Sequence, residues 1–372
     1  MFSKSISRRR ILHSGIEIGC ALAAPGVLSA GITFDPAQEK EKKSAAKFVM
    51  TFGSPYASEN RNFSPHMHQE FKNNIQTLSG GKIYVDIFDK GKFGIGPKLM
   101  SRLARNHVNA GLVSVANLVP IAPELDVLNI PFWSANNQDY VNLVTSPIWD
   151  SLILAKIREN SSIDVLFHYV VGPRTITTTK SYRKLIKTPD DAKGLRFRVP
   201  SSKTLATFYR LVGAKSKSIA WGKTAEAARN DLFDALDPAI IGLYNGPDNL
   251  KNELSAISRI ESVQDGWMAV VNVEWLKALP NDLREVVFQA SEKTFKEQLK
   301  KVKKVTDICM SKFAALGTTM YEPSASEIQQ WIDCCGHSRP EWAPIKKSIL
   351  GNASTFDKLL TATKSNNGYT IS

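Results

Sequence analysis

Two arginines alternate with apolar residues in a short segment of the sequence, residues 195–199. If the segment forms a strand, its apolar side chains share one face, and Arg196 and Arg198 share the other. A guanidinium group presents parallel N–H donors that fit a carboxylate. Ligands of open α/β sheets bind beyond the carboxyl ends of the strands, and Arg198 is nearer to that end. We therefore predict that Arg198 contacts an anionic ligand, with an ion pair to a structural Asp or Glu as the alternative.

Further polar residues stand where they could reach the same ligand. Arg174 follows a Gly-Pro pair, in a loop expected at a crossing between two domains. A second guanidinium there completes an anion clamp or, alternatively, locks a hinge through an ion pair. Ser114 and Asn117 lie near the end of a predicted strand and are expected to offer hydrogen bonds from the opposite domain. Tyr56 and Asn60, after the first predicted strand, are further candidates.

The sequence lacks the motifs of common catalytic sites. It contains no His-Glu-x-x-His, no Gly-x-Ser-x-Gly and no phosphate-binding loop. Residues 80–82, Gly-Gly-Lys, end a predicted helix and open a strand, which is the reverse of a phosphate loop. His66 and His68 are two residues apart and would diverge on a helix. We therefore expect no catalytic residue, no metal site and no cofactor, in a protein that is not an enzyme.

Hydrophobic periodicity predicts that helices and strands alternate along the 372 residues, a length that suits two domains. Strands are predicted over 48–52, 82–88, 110–115, 195–199 and 268–273. Helices are predicted over 64–78, 97–105, 203–211 and 283–305, with an amphipathic stretch at 224–236. This alternation is typical of α/β domains with parallel strand pairing. The Lys- and Glu-rich residues 31–45 are interpreted as a linker, and residues 346–372 as a polar C-terminal tail.

Residues 1–30 have the composition of an export signal. Arg8 and Arg9 are followed by one spacer and two apolar residues, which resembles a twin-arginine signal. The weakly apolar stretch 16–28 is too short and too polar for a stable membrane span. Small residues at 29–31 offer a cleavage point. We expect a mature chain that works in the periplasm, the alternative being a basic tail without fixed structure.

Charge and cysteine content argue against nucleic acid and zinc as binding partners. The formal net charge of +13 is spread among interspersed acidic residues, which favours a solvated surface over a nucleic-acid-binding patch. Three cysteines follow the signal segment, namely Cys309, Cys334 and Cys335, and no Cys-x-x-Cys pair suggests zinc. In an oxidising compartment Cys309 could pair with either of the others, or all three could stay buried thiols.

Several segments, in order along the chain, resemble the solute-binding proteins of tripartite ATP-independent periplasmic (TRAP) transporters. The strongest match is residues 188–200, Thr-Pro-Asp-Asp-Ala-Lys-Gly-Leu-Arg-Phe-Arg-Val-Pro, which are similar to the family's Asp-x-x-Gly-Leu-Lys-x-Arg-Val-Pro signature. Weaker matches occur at 79–85, 93–94, 128–132, 172–174 and 272–280. The resemblance covers about residues 46–345 and also selects Arg198 over Arg196. It places Trp221 as an aromatic wall over the ligand, with core packing as the alternative.

The chain departs from the family pattern at one edge of the implied pocket. The family carries a Glu-x-x-x-Ala-Leu-Gln helix and then Gly-x-x-Asp-Gly-x-Glu-Asn. Here the helix glutamate is replaced by Lys223, the region around Asp231 lacks both glycines, and Pro238 stands where the family has a ligand-contacting Asn. These changes leave the fold expectation intact but put the inheritance of the family's ligand in doubt.

The resemblance implies a two-domain, periplasmic-binding-protein-like α/β fold that closes over a ligand in the cleft between the domains and bends at hinge crossings. Domain I would comprise residues 46–172 and 262–300, and domain II residues 173–261 and 301–345. The implied function is capture of a small organic acid and its delivery to integral-membrane TRAP permease subunits. Dicarboxylates, keto acids, sugar acids and sulfonates all fit one arginine. A ligand-binding sensor for a membrane receptor and an exported cofactor enzyme are the alternatives.

Overall fold

The strands of the computed structural model, which describes residues 35–59, 67–134 and 136–371, form two sheets. The strands are β1 Phe48–Gly53, β2 Ile83–Phe88, β3 Ala110–Ser114, β4 Ile163–Pro173, β5 Ile176–Thr179, β6 Arg196–Val199, β7 Lys215–Ser218, β8 Ala235–Leu236, β9 Leu254–Ser258, β10 Gln264–Asn272 and β11 Thr319–Tyr321. The first sheet has the order β2-β1-β3-β10-β4, and the second has the order β11-β9-β5-β8-β6-β7. We name the part of the molecule built on the first sheet lobe I and the part built on the second sheet lobe II.

Helices cover both sheets and fill the connections. They are α1 Pro36–Ala45, α2 Met67–Leu78, α3 Pro97–Ala104, α4 Asn137–Val144, α5 Pro147–Trp149, α6 Ala155–Asn160, α7 Pro189–Ala192, α8 Lys203–Leu211, α9 Thr224–Arg229, α10 Ile240–Tyr244, α11 Val273–Ala278, α12 Asn281–Leu299, α13 Val302–Ala315, α14 Ala325–Cys335, α15 Ala343–Leu350 and α16 Ala353–Ala362. A π-helical turn spans Asp150–Leu154, and 3₁₀ turns span Val115–Asn117, Pro123–Asn129, Trp221–Lys223, Pro247–Glu253 and Pro340–Trp342. Within the described ranges, no helix combines the length and the apolar character needed to cross a bilayer.

The sheet of lobe I contains an inner strand, β10, that is buried on both faces. β1 runs parallel to β2 and β3, whereas β10 runs antiparallel to β3 and β4. Every residue of β10 is buried, as expected for a central strand covered by helices on either side. On one face α2 places Phe71 against Phe52 of β1, with ring centroids 5.7 Å apart, and α12 packs beside α2.

The chain passes between the two sheets at short crossings. β4 of lobe I is followed after two residues by β5 of lobe II, and β9 of lobe II leads through residues 259–263 into β10 of lobe I. The two crossings are joined by a hydrogen bond from the Arg174 N–H to the Val263 carbonyl, 2.7 Å. A third crossing lies between α12 and α13. The described residues form one compact unit, and the residues at which two domains divide stay a prediction.

Several elements differ from the sequence-based expectation because of tertiary packing. The expected linker contains α1, whose start is capped by the Asp35 carboxylate and whose Glu39 pairs with Lys72, 2.5 Å away in α2. The single helix expected over 283–305 is α12 and α13 instead. α12 packs on α2 and β4 of lobe I, whereas α13 packs on α10 and β11 of lobe II as well as on β4, and the helix breaks where these two sets of neighbours meet. The stretch 224–236 is α9 followed by β8, because the chain turns at Asp231 with φ of 53°.

The expected polar tail is a packed part of the fold. The ring of Phe356 in α16 lies 4.8 Å from the ring of Trp133, and the Tyr369 hydroxyl donates to Glu292 of α12 at 2.8 Å. Both are long-range contacts that polar composition alone does not reveal. The predicted signal segment 1–30, the first four linker residues and residues 64–66 of the helix predicted over 64–78 lie outside the described residues.

Candidate functional site

A cavity of about 240 Å³ lies where elements of the two lobes meet. Its wall is formed by Pro55, Tyr56, Ile95, Gly96, Pro97, Leu112, Val113, Ser114, Ala116, Asn117, Arg174, Arg198, Pro200, Ser201, Ser218, Ile219, Ala220, Trp221, Pro238, Asp265 and Trp267. The five residues predicted for the site are all in this wall, namely Arg198, Arg174, Trp221, Ser114 and Asn117. Tyr56 is there too, whereas Asn60 lies outside the described residues. The structure therefore brings together side chains that are far apart in the sequence.

Arg198 stands near the carboxyl end of β6, where the sheet opens toward the cavity. β6 pairs in parallel with β7 and β8, so the chain leaving β7 passes over the guanidinium group. Nε and Nη2 of Arg198 both donate to the Ile219 carbonyl, at 2.9 and 2.7 Å, and Cζ lies 5.3 Å from the centre of the Trp221 ring. The backbone and the indole thus fix the guanidinium in the wall.

The charge of Arg198 has no carboxylate partner within salt-bridge distance among the described residues. The side chain is only 3% exposed. Burial lowers the pKa of Arg198 to about 10, although Asp237 and Asp265 act in the opposite direction. The group is still a cation at neutral pH, and a buried cation without a bound counter-ion is unfavourable. An anion in the cavity would relieve this cost.

Arg174, at the crossing between β4 and β5, has a different environment. Its Nη1 donates to Asp237 and its Nη2 to Asp265, both at 2.9 Å. The two carboxylates are bound in turn by the Tyr209 hydroxyl and by the Ala239 N–H. Burial alone lowers the pKa of Arg174, but the two aspartates raise it overall. The ion pair that the sequence left open beside the clamp role is therefore present, and contact between Arg174 and a ligand stays a prediction.

Trp221, Ser114 and Asn117 lie in turns that follow strands. Trp221 starts the 3₁₀ turn after β7 and is partly buried, and its indole Nε1 has no hydrogen-bond partner within the described ranges. Ser114 ends β3, and its hydroxyl oxygen accepts from the Ala116 N–H at 3.4 Å. Asn117 closes the turn that Ser114 caps, and Gly96 approaches its amide so closely that a Cβ there would lie 3.3 Å from Nδ2.

The sequence did not single out Asp265 and Trp267, which open β10 and lie in the cavity wall. Trp267 packs against Tyr56, with ring centroids 5.0 Å apart. The Trp267 Nε1 and the Tyr56 hydroxyl are buried and have no hydrogen-bond partner among the described residues. The only local signal was an acidic and an aromatic residue at the start of an apolar strand, which is common outside binding sites.

Of the three departures from the family pattern, only Pro238 is in the cavity wall. Its carbonyl accepts from the Thr175 hydroxyl at 3.0 Å. Lys223 is exposed and pairs with Glu226, 2.9 Å away. Asp231 accepts from Arg196, which also binds Asp234 at 2.6 Å. Arg196 is therefore held in an ion-pair cluster outside the cavity wall.

The three described cysteines, Cys309, Cys334 and Cys335, are thiols and form no disulfide with one another. Burial raises the pKa of Cys309 to about 12 and also raises that of Cys335. Both groups stay protonated at neutral pH, in contrast to reactive cysteines. Pairing of Cys309 with Cys334 or Cys335 is thus absent from this structure, and the alternative of buried thiols holds for Cys309 and Cys335, while Cys334 is partly exposed. In the part of the chain that the structure describes, no three His, Cys, Asp or Glu side chains are grouped to hold a metal ion.

A known protein family and individual relatives resemble this chain in sequence. Residues 54–342 match the family described as bacterial extracellular solute-binding protein, family 7 (DctP). The C4-dicarboxylate-binding protein DctB of Bacillus subtilis is 23% identical over 278 residues, which cover 71% of this chain and 73% of the relative.

Two crystal structures share the fold. A TRAP periplasmic solute-binding protein from Shewanella oneidensis with bound succinate has a TM-score of 0.76 at 20% identity, covering 86% of this chain and 100% of that one. The sugar acid binding protein DctPAm from Advenella mimigardefordensis, in complex with galactonate, has a TM-score of 0.75 at 20% identity, covering 85% and 97%. The family match spans most of the described residues, and this chain therefore belongs to family 7 of the bacterial extracellular solute-binding proteins.

Proposed function

We propose that this protein captures a small carboxylate in the cavity between its lobes, outside the cytoplasm, and delivers it to the membrane subunits of a TRAP transporter. The observation that carries the proposal is the guanidinium of Arg198. It is a buried cation in the cavity wall, fixed by a backbone carbonyl and an indole ring, and no carboxylate of the described residues pairs with it. A ligand carboxylate supplies the missing counter-charge through parallel hydrogen bonds.

The known relatives support a carboxylate as the ligand. DctB of Bacillus subtilis is named for C4-dicarboxylates, and the two solved structures hold succinate and galactonate. Each of these molecules carries at least one carboxylate, so the shared chemistry matches the charge of Arg198. Trp221 covers the anchored group, and Ser114 and Asn117 offer hydrogen bonds from lobe I. Arg174 positions the crossing strands through Asp237 and Asp265.

The protein acts by binding and release, without chemical change of its ligand. The cavity wall holds a cation, an ion pair and hydroxyl groups but no His or Cys, so it offers none of the common pairs of nucleophile and base. Export through the twin-arginine route would place the chain in the periplasm, where the permease subunits are reached. The arginines at positions 8 and 9 are the basis for that route.

The anchor role is tested by ligand binding to matched arginine variants. A thermal-shift screen of organic acids on the mature protein identifies the best ligand, because a ligand at 100 times its Kd adds about 2.7 kcal/mol to the stability. Calorimetry then compares the wild type with Arg198→Lys and Arg198→Ala. A hydrogen bond to a charged group contributes roughly 1.5–3 kcal/mol, so the lysine variant should lose roughly tenfold to a hundredfold in affinity and the alanine variant more.

Arg196→Lys is the control, because Arg196 lies on the same strand but binds Asp231 and Asp234 away from the cavity. It should bind the ligand with nearly wild-type affinity, and circular dichroism should show that all variants are folded. A damaging Arg196→Lys together with a silent Arg198→Lys would refute the anchor. Recovery of a chemically altered ligand after incubation would refute the absence of catalysis.

A further inference from the structure

We infer that the cavity selects an acid with a single carboxylate and an uncharged, oxygen-bearing remainder, such as a hydroxyl or keto group, over a dicarboxylate. This inference rests on the proposed function, since it assumes that Arg198 holds the first carboxylate. It is carried by the charges of the cavity wall and by the buried hydrogen-bond donors that have no partner.

The charges of the cavity wall can neutralise one ligand carboxylate. Arg198 and Arg174 are the two cations among the residues that line the cavity. Arg174 is already engaged by Asp237 and Asp265, each 2.9 Å from one of its terminal nitrogens. Because Asp265 itself lines the cavity, a second ligand carboxylate would meet a like charge and would have to compete with a buried ion pair for Arg174. Unpaired burial of that carboxylate is unfavourable.

Two neutral hydrogen-bond donors of the cavity wall need acceptor atoms from a ligand. Trp267 is 5% exposed and Tyr56 is 1% exposed, and in the part of the chain that the structure describes the indole N–H and the phenol hydroxyl have no hydrogen-bond partner. The indole nitrogen only donates, so a ligand that satisfies it must present an oxygen acceptor. Burial raises the pKa of Tyr56 well above its ordinary value, so this phenol also keeps its proton and can donate. Leaving such buried donors unsatisfied is costly.

Arg198 and the donors of Tyr56 and Trp267 lie on opposite lobes. Arg198 belongs to β6 of lobe II, whereas Tyr56 and Trp267 belong to lobe I, with their ring centroids 5.0 Å apart. The cavity wall also contains apolar residues, among them Leu112, Pro97 and Ile219, so a ligand that reaches from Arg198 to these donors would meet apolar surface as well. The arrangement fits a molecule with a charged end, an apolar middle and a neutral polar end.

The test uses acids that share a five-carbon chain and differ only in their polar groups. Pentanoate is the reference, its hydroxy and oxo derivatives add a neutral oxygen at successive positions, and glutarate adds a second carboxylate. Calorimetry on the wild type should give the highest affinity for one of the hydroxy or oxo acids. Glutarate should bind at least about tenfold more weakly than that acid, because its second carboxylate would be buried beside Asp265 without a counter-charge.

Trp267→Phe removes the N–H while keeping an aromatic ring. It should weaken the best hydroxy or oxo acid by about tenfold and leave pentanoate nearly unchanged, because only the former loses a hydrogen bond. Tyr56→Phe is a second variant with the same expected pattern. Trp275→Phe is the matched control, since that indole donates to the Val49 carbonyl at 3.2 Å and is not part of the cavity wall. It should not alter the order of the acids.

Two results overturn the inference while leaving the proposed function intact. One is tighter binding of glutarate than of every monocarboxylate, with that binding lost in Arg198→Lys. The other is an equal effect of Trp267→Phe and Tyr56→Phe on pentanoate and on its oxygen-bearing derivatives. If none of these acids and none of the acids in the thermal-shift screen binds the wild type, the proposed function itself is refuted.

Discussion

Arg174 and Arg198 are both buried arginines of the cavity wall, yet their partners give them different roles. Arg174 is neutralised by two aspartates that come from different sheets, Asp237 after β8 and Asp265 in β10. Arg198 is bound by a carbonyl and covered by an indole. The same type of side chain therefore forms an internal ion-pair bridge in one place and, under the proposed function, the ligand anchor in the other, and the difference lies in whether a carboxylate is already present.

Replacing Arg174 by Gln should destabilise the fold strongly, by roughly 3–5 kcal/mol, because two buried aspartates lose their counter-charge. Burial raises the pKa of Asp237 and Arg174 opposes that rise, so the variant raises it further. An acid with a raised pKa in the folded state favours folding when protonated, and this contribution is lost as the pH rises above the ordinary aspartate pKa. Urea unfolding should therefore show a larger deficit at about pH 7.5 than at about pH 5.

Arg196→Gln is the control for this experiment, because its ion pairs with Asp231 and Asp234 are partly exposed. Pairs of that kind contribute about 0–1 kcal/mol, so the loss should be small and should change little over the same pH range. A deficit for Arg174→Gln that is small, or that is larger at the acidic pH, would contradict the structural role assigned to Arg174.

The predictability of the site differs from residue to residue. Arg198 could be found because strand alternation, position near a strand end and a family motif all lie within a few residues of it. Asp265 and Trp267 could not, because β10 brings them to the cavity from a point about 65 residues further along the chain. Whether an arginine is neutralised depends on such distant partners, and for that reason the two roles of Arg174 stayed open.

One helix of lobe II begins on a carboxylate of lobe I. Asp126 belongs to the 3₁₀ turn Pro123–Asn129 that follows β3, and its Oδ2 accepts from the Thr204 N–H and hydroxyl at 3.1 and 2.7 Å. Its Oδ1 accepts from Ser202, the N-cap of α8, at 2.6 Å. The negative charge of Asp126 is stabilised by the positive N-terminal end of the helix dipole. The contact fastens the two lobes in the arrangement that encloses the cavity.

Replacing Asp126 by Ala should therefore shift the lobes toward an open arrangement. Loss of hydrogen bonds to a charged group costs roughly 1.5–3 kcal/mol, and ligand affinity falls in proportion to the population of the closed arrangement. We expect affinity to fall by roughly tenfold or more, and small-angle scattering to show a larger ligand-free radius of gyration than in the wild type. Saturating ligand should compact the variant again.

Ser324→Ala provides a control with a lost helix cap inside lobe II alone. Ser324 caps α14 by accepting from the Glu327 N–H at 3.3 Å, and its removal should cost about 1 kcal/mol of stability. Ligand affinity and scattering should stay those of the wild type. Equal effects of the two replacements on affinity would show that Asp126 acts through general stability and not through closure.

Elements whose sequence has clear hydrophobic periodicity were predicted correctly. Elements whose conformation depends on neighbouring strands were not. The predicted strands around residues 48, 83, 110 and 195 and the helices around 97 and 203 are confirmed. The edge strand β7, whose four residues are all exposed, was missed because its sequence Lys-Ser-Lys-Ser has no apolar pattern. It pairs with β6 in parallel and takes its conformation from that neighbour. The two-domain α/β class followed from the alternation and from the family resemblance.

At the scale of the whole molecule, location and charge belong together. A binding protein for an anion benefits from a basic surface, and the net charge of +13 attracts carboxylates over long distances, although salt screens the effect. Such a protein serves a transporter only on the outer side of the membrane. Export is therefore a requirement of the proposed function.

Replacing Arg8 and Arg9 together by Lys should hold the protein in the cytoplasm, because lysine keeps the charge but not the guanidinium pair of a twin-arginine signal. Cell fractionation followed by immunoblotting of the periplasmic and cytoplasmic fractions measures the outcome. A variant with Arg10→Lys, which changes the spacer and keeps the pair, should be exported normally. Normal export of the double variant would contradict the route and would leave export by another route as the explanation.

The central position of β10 in the first sheet also governs how the chain can reach its fold. β10 separates β3 from β4 in space, but it is synthesised only after the strands β5 to β9 of the other sheet. Until then β3 and β4 present open edges, which are templates for aggregation. Pairings between such distant segments also slow folding. The sheet of lobe I therefore cannot be completed until β10 has been synthesised, and a fragment that stops before β10 should be insoluble.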